Sequence, residues 1–499
     1  MIRRLGLAGG VFAFLLIGLA PGPASLPVSA QWTAATGALM AIWWLTEALP
    51  PAVTALVPIV LLPLTGAMAA DDITRPYASE TNLLFLGGLM IATAVERWNL
   101  HRRMALWIIY SYGRSPSGLV FGFMAATATI SAWISNAATT MMMLPIAAAV
   151  LGHFHDDNPE IERELAPPLL LAIAHSATIG GLATIVGTPP NAVFVGQMAK
   201  LFPEAPPIGF LQWSLVGAPI ALTLVPVTWF YLVRFASPLW KRTSVLDRSV
   251  ISAQRLALGP MSTAEKRVLA VFAVTAVLWM FRVPIHAEGF SVPGWSELLS
   301  NARLPGDSTV AVGMALLLFA IPSGQPEGGR LLDWKTANKI PWSVLVLLGG
   351  GFALADATRA TGLADWIGTG LGGIGQVSAL TKVFVLCLSI TFLTEVMTNT
   401  ALTTIMMPVL AASAVASGTD PLLLMVPCTL AASLGFMMPS GTAPNAIVFS
   451  TGHLTVAYMA KVGFALNLLS ILVVTAATFL LAGPVFGISM DSLPAWAQH

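Results

Sequence analysis

Apolar stretches of membrane-crossing length recur along this chain from end to end, and the polar residues between them set its organisation. A bilayer core takes about 20 apolar residues in helical form. Residues 5–20, 32–49, 52–66 and 82–97 read as spans. The next stretch, Asn99 to Arg114, carries Arg102, Arg103 and Arg114 among Leu and Trp. That is too basic to cross and predicts an amphipathic helix along the interface. Residues 117–151 are apolar but interrupted at Ser135-Asn136, which predicts half-helix, break, half-helix. A polar, acidic loop from His153 to Glu164 follows, then a second interrupted span, 168–202, broken at Gly187 to Asn191. A full span, 211–233, leads into the longest polar stretch, Arg234 to Arg267, the natural seam of the chain.

The same order then repeats. Spans 268–281, 308–321 and 341–355 precede an interfacial stretch near Arg359 to Trp366. A broken hairpin covers 379–416, a broken span 421–460 and a last span 462–484. Leu86-Gly87-Gly88 and Leu348-Gly349-Gly350 mark matching places in the two halves. Four segments result: 1–115 and 251–370 form one matched pair, 116–250 and 371–499 the other. The fold class this predicts is an all-α integral membrane protein of about 11 transmembrane helices, with two re-entrant helical hairpins in an inverted repeat.

The two hairpins share a motif. Ser135-Asn136-Ala137-Ala138-Thr139-Thr140 leads into Met143-Leu144-Pro145, and Thr398-Asn399-Thr400-Ala401-Leu402-Thr403 leads into Met406-Met407-Pro408. Each has a companion downstream, Gly187-Thr188-Pro189-Pro190-Asn191 after the first and Gly441-Thr442-Ala443-Pro444-Asn445 after the second. A backbone group freed inside a bilayer costs several kcal/mol unless it is satisfied. Non-helical chain at that depth therefore survives only where it lines a cavity or binds something. Four breaks in two matched pairs point to a transporter whose site lies at the repeat interface. A single Ser-Asn pair would instead read as packing glue between helices.

Composition sharpens this. Of 499 residues 56% are hydrophobic and 9% charged, where a soluble domain carries about 25% charged residues. The chain belongs in a membrane, as a helical bundle rather than a barrel. The net charge of +1 says nothing about a nucleic-acid partner, and with no basic stripe in the chain none is expected. Cys387 and Cys428 lie in apolar segments without metal-ligand spacing and read as core residues. With a cytoplasmic N-terminus, 18 of the 24 Lys and Arg fall on the cytoplasmic side. Only Arg75, Lys200, Arg282, Arg303, Arg359 and Lys382 lie outside, which also makes the repeats inverted and the C-terminus external, in a multi-pass cell (inner or plasma) membrane protein. Arg3 and Arg4, the apolar run from Leu5 to Ala20 and Val28-Ser29-Ala30 resemble a cleavable signal; a retained first helix is the preferred reading.

Half-helix N-termini suit an anion, whereas carbonyls, Asn oxygens and Ser/Thr hydroxyls suit a hard cation such as Na⁺. No Lys or Arg occurs between Ser115 and Glu162, or between Val383 and Ala460. Each helix terminus supplies only ~0.5 of an elementary charge. A dianion held here is undercompensated, and co-bound sodium is the simplest remedy.

At these motifs the chain resembles the divalent anion/sodium symporter family, carriers of dicarboxylates, citrate and sulfate. That family has a Ser-Asn-Thr signature in each hairpin and a Gly/Ala-Ser/Thr-Pro-Pro-Asn turn in each following broken helix. Trp44-Leu45-Thr46-Glu47-Ala48-Leu49-Pro50 and Phe392-Leu393-Thr394-Glu395 are similar to it as well. The resemblance implies an elevator-type homodimer, with 1–115 and 251–370 as scaffold and 116–250 and 371–499 as transport domain. It implies two sodium sites, one from Ser131, Ser135, Asn136 and the Gly187 backbone, the other from Thr394, the Met397 backbone, Asn399 and the Gly441 backbone. It places substrate carboxylates against Ser135, Asn136, Thr188 and Pro189 on one side and Thr398, Asn399, Thr400 and Thr442 on the other. The implied function is Na⁺-coupled symport of dianionic di- and tricarboxylates of the succinate, malate and fumarate type. Ala137 departs from the signature by lacking a hydroxyl that would meet substrate, and Ala443 replaces a Pro.

Sulfate symport, sodium-independent exchange and ion/proton antiport remain as rivals. An antiporter needs an intramembrane carboxyl as proton carrier, and Glu395 is the residue available. Its other reading is a group that steadies the hairpin break. Glu47 reads as a boundary carboxylate, capping a half-helix or paired with a distant Arg. His153, His155, Asp156 and Asp157 read as a solvated loop rather than a metal site, His175 as a core histidine, and Met141 to Met143 as packing. No His or Asp lies beside the hairpin hydroxyls, which argues against an intramembrane enzyme, and no Gly-x4-Gly-Lys-Ser/Thr loop supports ATP hydrolysis.

Overall fold

The structure is a computed structural model that describes residues 2–498 except 24, 158, 238, 240–248, 288–289, 302–303, 327, 372–376 and 491. It is almost wholly helical. In the first quarter α1 (Ile2–Leu19) packs along α2 (Val28–Thr46), short helices α3 (Pro51–Thr54), α4 (Val57–Leu64) and α5 (Ala70–Thr74) follow, and α6 (Glu80–Arg97) turns into α7 (Leu100–Tyr112). Asn99, in the left-handed conformation, makes that turn. Then come α8 (Pro116–Ser131), α9 (Asn136–Asp157), α10 (Pro159–Gly181), α11 (Pro189–Leu201) and α12 (Phe210–Tyr231).

The second half runs α13 (Ser249–Ala257), α14 (Thr263–Met280), α15 (Asp307–Ala320), α16 (Trp334–Ala337), α17 (Trp342–Ala360) and α18 (Leu363–Leu371). It continues with α19 (Ala379–Leu393), α20 (Asn399–Ala416), α21 (Pro421–Ala432), α22 (Ala443–Phe449), α23 (Val456–Ala477) and α24 (Gly483–Phe486). Between α14 and α15 a small antiparallel ribbon pairs Ile285–Ala287 with Phe290–Val292, and a single β-bridge joins Pro322 to Arg330.

One sequence expectation needs correction. The stretch from His153 to Glu164 is not a loop: α9 runs on to Asp157 and α10 begins at Pro159, which a proline at the first helical position permits. The side chains of His153, His155, Asp156 and Asp157 lie outside the described residues. Within the polar seam from Arg234 to Arg267 lie α13 and the start of α14.

Each hairpin starts on a serine cap. Ser115 Oγ accepts from the Gly118 N–H (3.1 Å) and Ser378 Oγ from the Thr381 N–H (3.3 Å), so the matched arms α8 and α19 begin at matched residues. The most deeply buried arms are α10 and α21. Every residue of α21 is buried, and from Leu169 to Gly181 so is α10. A helix apolar all round belongs in the centre of a bundle, and these two form that centre. The halves interlock there: α22 packs on α9 and α10, while α11 packs on α20 and α21.

Among the described residues five helices are long and apolar enough to cross a membrane, Ala70–Arg97, Phe210–Ala236, Trp342–Ala360, Asn399–Ala416 and Val456–Phe486. Pro116–Ser131, Ala379–Leu393 and Pro421–Ala432 are among the shorter apolar helices. Their shortness reflects the breaks that interrupt them.

Arg103, on the basic α7, anchors that helix to the start of α14. Its Nε donates to Glu265 Oε1 at 2.7 Å and its guanidinium also donates to the Leu258 and Gly259 carbonyls. Burial opposes the Glu265 charge, but the Arg103 guanidinium and the Ser262 N–H outweigh it and hold the carboxyl below its ordinary range. A depressed folded value contributes stability above the unfolded value and loses it as pH falls through the folded one. Glu265→Gln is expected to destabilise the protein in detergent by about 2 kcal/mol at neutral pH. The gap from wild type should close in acid. Thermal melts of both proteins across pH check this; a pH-independent gap would refute it.

Candidate functional site

Four helices begin at the four breaks: α9 at Asn136, α11 at Pro189, α20 at Asn399 and α22 at Ala443. A hydroxyl residue precedes each, namely Ser135, Thr188, Thr398 and Thr442. Such residues favour the extended backbone a helix start requires, and Thr188, Thr398 and Thr442 adopt it. Two of the four hydroxyls serve their own helices. Ser135 Oγ accepts from the Ala138 N–H and Thr442 Oγ1 from the Asn445 N–H, both at 3.3 Å. The other two do not: Thr188 makes no cap bond, and Thr398 Oγ1 is buried without a hydrogen-bond partner among the described residues.

The first-half residues named from the sequence form one cluster. Ser131, the fully buried last residue of α8, donates through Oγ to Asn136 Oδ1 at 2.8 Å. Asn136 lies against Gly181 at the end of α10, where a Cβ would sit 2.6 Å from Asn136 Oδ1. Gly187 closes the ring: a Cβ there would come within 2.5 Å of the Gly181 carbonyl and 3.0 Å of that of Ala132. A hydroxyl, a carboxamide oxygen and backbone carbonyls thus crowd one small volume. This donor set is oxygen-only and uncharged, which suits a hard monovalent cation.

The second cluster repeats it. Thr394 Oγ1 lies 2.8 Å from Asn399 Oδ1 and 2.6 Å from the Ala432 carbonyl, and Thr394 is fully buried. Gly435 presses on Thr394 as Gly181 presses on Asn136, and Gly441 lies beside the Glu395 carboxylate. Met397 and Thr400 sit half-buried on either side of the α20 start, as do Ser135 and Ala137 at α9 and Pro189 at the start of α11.

Sequence reasoning missed the residues that hold these breaks in shape. Asn191, fully buried, donates from Nδ2 to the carbonyls of Gly181 (3.0 Å) and Thr184 (2.8 Å). Asn445 does the same for Gly435 (3.3 Å) and Met438 (3.0 Å). In both, Oδ1 is buried without a partner among the described residues. The signal was there: each Asn closes a companion motif, and a glycine stands ten residues before it in both halves.

The halves differ in one respect. In the first, Thr184 Oγ1 donates to the Ala132 carbonyl and accepts from the Gly187 N–H (3.1 Å). In the second, a carboxylate does the corresponding work. Glu395 Oε1 accepts from the N–H groups of Phe436 (2.8 Å) and Met437 (2.9 Å) and from Asn467 Nδ2 (2.8 Å), and Oε2 accepts from the Met438 N–H (2.9 Å). Glu395 thus steadies a break, but that of the following broken span at 436–438 rather than the hairpin break beside which it stands.

A model of the family described as the sodium:sulfate symporter transmembrane region matches residues 3–488. The chain belongs to this family, the divalent anion/sodium symporters. It is a multi-pass membrane transporter, not an enzyme. The sodium-dependent dicarboxylate transporter SdcS of Staphylococcus saprophyticus is 39% identical over 494 residues, covering 98% of this chain and 93% of that one. SdcS of a bovine Staphylococcus aureus strain is 38% identical over 495 residues with the same coverage. Among solved structures, the Alcanivorax borkumensis YdaH transporter superposes with a TM-score of 0.61 at 12% identity, over 88% of this chain and 99% of that one. Neisseria gonorrhoeae MtrF, described as one of a class of antimetabolite efflux pumps, gives 0.58 at 13% identity, over 89% and 98%. At such identities these two show a shared fold alone.

The remaining polar residues of this symporter-family chain have ordinary roles. Glu47, in the left-handed conformation after α2, pairs with Arg3 at 3.3 Å on an exposed surface. His175 is fully buried, its ring 4.9 Å from that of Phe436. Met143 is core, whereas Met141 is exposed; Cys387 and Cys428 are buried and unbonded. Among the described residues no group of three His, Cys, Asp or Glu could hold a metal.

Proposed function

We propose that this protein imports dianionic carboxylates of the succinate, malate and fumarate type together with Na⁺. The observation that carries this is the matched pair of hydroxyl–carboxamide contacts, Ser131–Asn136 and Thr394–Asn399, at the starts of helices that bring no cationic side chain. Relatives named as sodium-dependent dicarboxylate transporters over nearly the whole length support it. One Na⁺ binds Ser131, Ser135, Asn136 and the Gly187 carbonyl; a second binds Thr394, Asn399 and the carbonyls of Met397 and Gly441. The substrate carboxylates meet Ser135, Asn136, Thr188 and Pro189 from one half, and Thr398, Asn399, Thr400 and Thr442 from the other. Two sodium ions beside a dianion leave a neutral cargo at the site, which is what a low-dielectric membrane interior requires.

Transport follows an elevator course in a homodimer. Residues 1–115 and 251–370 form the fixed scaffold; 116–250 and 371–499, with both hairpins re-entrant, move together and carry the site across. The N-terminus is cytoplasmic and the C-terminus external.

The test is uptake of succinate, citrate and sulfate into proteoliposomes with and without an inward Na⁺ gradient. Succinate uptake should rise at least tenfold with the gradient; uptake indifferent to Na⁺ would mean exchange, and preference for sulfate a different cargo. Ala137→Thr restores a hydroxyl at the first turn of α9. It should change the ratio of succinate to citrate uptake by about three- to tenfold, in line with one hydrogen bond gained at a substrate group. An unaltered ratio would remove Ala137 from the site.

A further inference from the structure

Helix α11 is tied to α17 at three places. Gly196 lies so close to Phe352 that a Cβ there would sit 2.3 Å from the ring. One residue on, Gln197 Nε2 donates to the carbonyls of Gly351 (3.3 Å) and Thr404 (3.2 Å). One turn further, Lys200 Nζ stands 3.0 Å from Asp356 Oδ2, with side chains 31% and 13% exposed. Both partners lie towards the C-terminal ends of their helices.

In the elevator carrier proposed for this chain, on which the role of this pair depends, α11 moves and α17 stays. The Lys200–Asp356 pair then bridges the moving and fixed parts. It also lacks a counterpart in the other half. Aligning Asn191 with Asn445 puts Leu454 at the place of Lys200, and aligning Leu86 with Leu348 puts Ala94 at that of Asp356. Inverted repeats exchange their arrangements when the site changes sides. A tie made in both repeats would stabilise both end states alike and cancel, whereas one made in a single repeat must favour one state. We propose that Lys200–Asp356 is a latch that holds the transporter preferentially in the end state described here.

The pair is partly desolvated, so it is worth more than a fully exposed contact, and removing one partner leaves the other charge half-buried and unmatched. Neither residue belongs to the binding clusters. Its loss should change the balance of states without touching the affinity of the site for its cargo.

The test is single-molecule distance measurement in nanodiscs between dyes on Glu204→Cys, exposed in the loop after α11, and Trp334→Cys, exposed at the start of α16. Cys387 and Cys428 are buried and escape labelling. Two distance populations are expected, their ratio responding to Na⁺ and succinate. Lys200→Met and the near-isosteric Asp356→Asn should each shift the ratio about two- to fivefold in the same direction, the range a partly exposed ion pair supports. The reversed pair, Lys200→Asp with Asp356→Lys, should bring it back. An unchanged ratio in both single variants overturns the latch, and so does a reversed pair as shifted as the singles. One distance, unmoved under every condition, would instead overturn the moving-domain reading and the latch with it.

Discussion

Asn136→Ala and Asn399→Ala should each lower Na⁺-dependent succinate uptake by about 100-fold or more, the upper range for losing a positioned ligand. Each substitution removes the carboxamide oxygen that meets a buried hydroxyl, Ser131 in one cluster and Thr394 in the other. It leaves that hydroxyl in a space with too few oxygens for a cation. Because both residues open a helix rather than fill its interior, the melting temperature should stay close to wild type. Uptake at saturating succinate over a titration of Na⁺ makes the distinction. If the loss comes from the ion sites, half-saturation for Na⁺ moves far upward in each variant. If both transport normally, the clusters are not the site.

Glu395→Ala should be the most destabilising single change in the protein. It strands the N–H groups of Met437 and Met438 and the carboxamide of Asn467, and leaves the Phe436 N–H only its longer contact with Asn467 Oδ1 (3.2 Å). An unpaired buried donor costs about 1–3 kcal/mol, so the three together cost about 3–9 kcal/mol, comparable with the whole stability of a typical fold. Glu395→Gln is the informative companion. It keeps the volume and the acceptor at Oε1 but turns an N–H toward the Met438 N–H, so it should fold, melt lower and bind Na⁺ at the second cluster at least tenfold more weakly. The comparison also decides the antiport reading. A proton carrier works through an exchangeable carboxyl, whereas both oxygens of this one are engaged by donors of its own chain. Wild-type-like melting of Glu395→Ala would refute the anchoring role. Proton-coupled transport lost in Glu395→Gln while substrate binding persists would revive antiport.

In the other half the same position in the chain is Ala132, and Thr184 supplies the tie through a neutral hydroxyl. The two clusters share their oxygen set but not their electrostatic surroundings. Equal Na⁺ affinity at both is therefore not to be expected, and the Asn136 and Asn399 titrations should differ in how far they move.

Much of this was legible in the chain itself. Break positions were readable because a bilayer leaves few cheap alternatives: one Ser-Asn pair in apolar sequence reads as packing glue, but four interruptions in two matched pairs read as places where one helix ends and another begins. Their doubling was readable because both copies obey the same constraint, whereas Ser131, Asn136, Thr394 and Asn399 were grouped into two sets through the resemblance of the motifs to the symporter family. What local pattern could not supply was length and reach. The acidic stretch after α9 reads as a loop, yet helix continues to Asp157, since composition says what prefers water and not where a helix stops. Nor could it supply the closures made across tens of residues. Asn191 folding back on Gly181, Glu395 gathering the 436–438 amides and Lys200 meeting Asp356 all depend on how separate helices pack. Sequence by itself determined a doubled, membrane-embedded set of chain breaks bearing hydroxyl and carboxamide side chains and no basic one, because solvation forces that much. Only the tertiary structure decided which groups hold the breaks in shape and which tie one part to another, because those are distances between segments that no periodicity along the chain encodes.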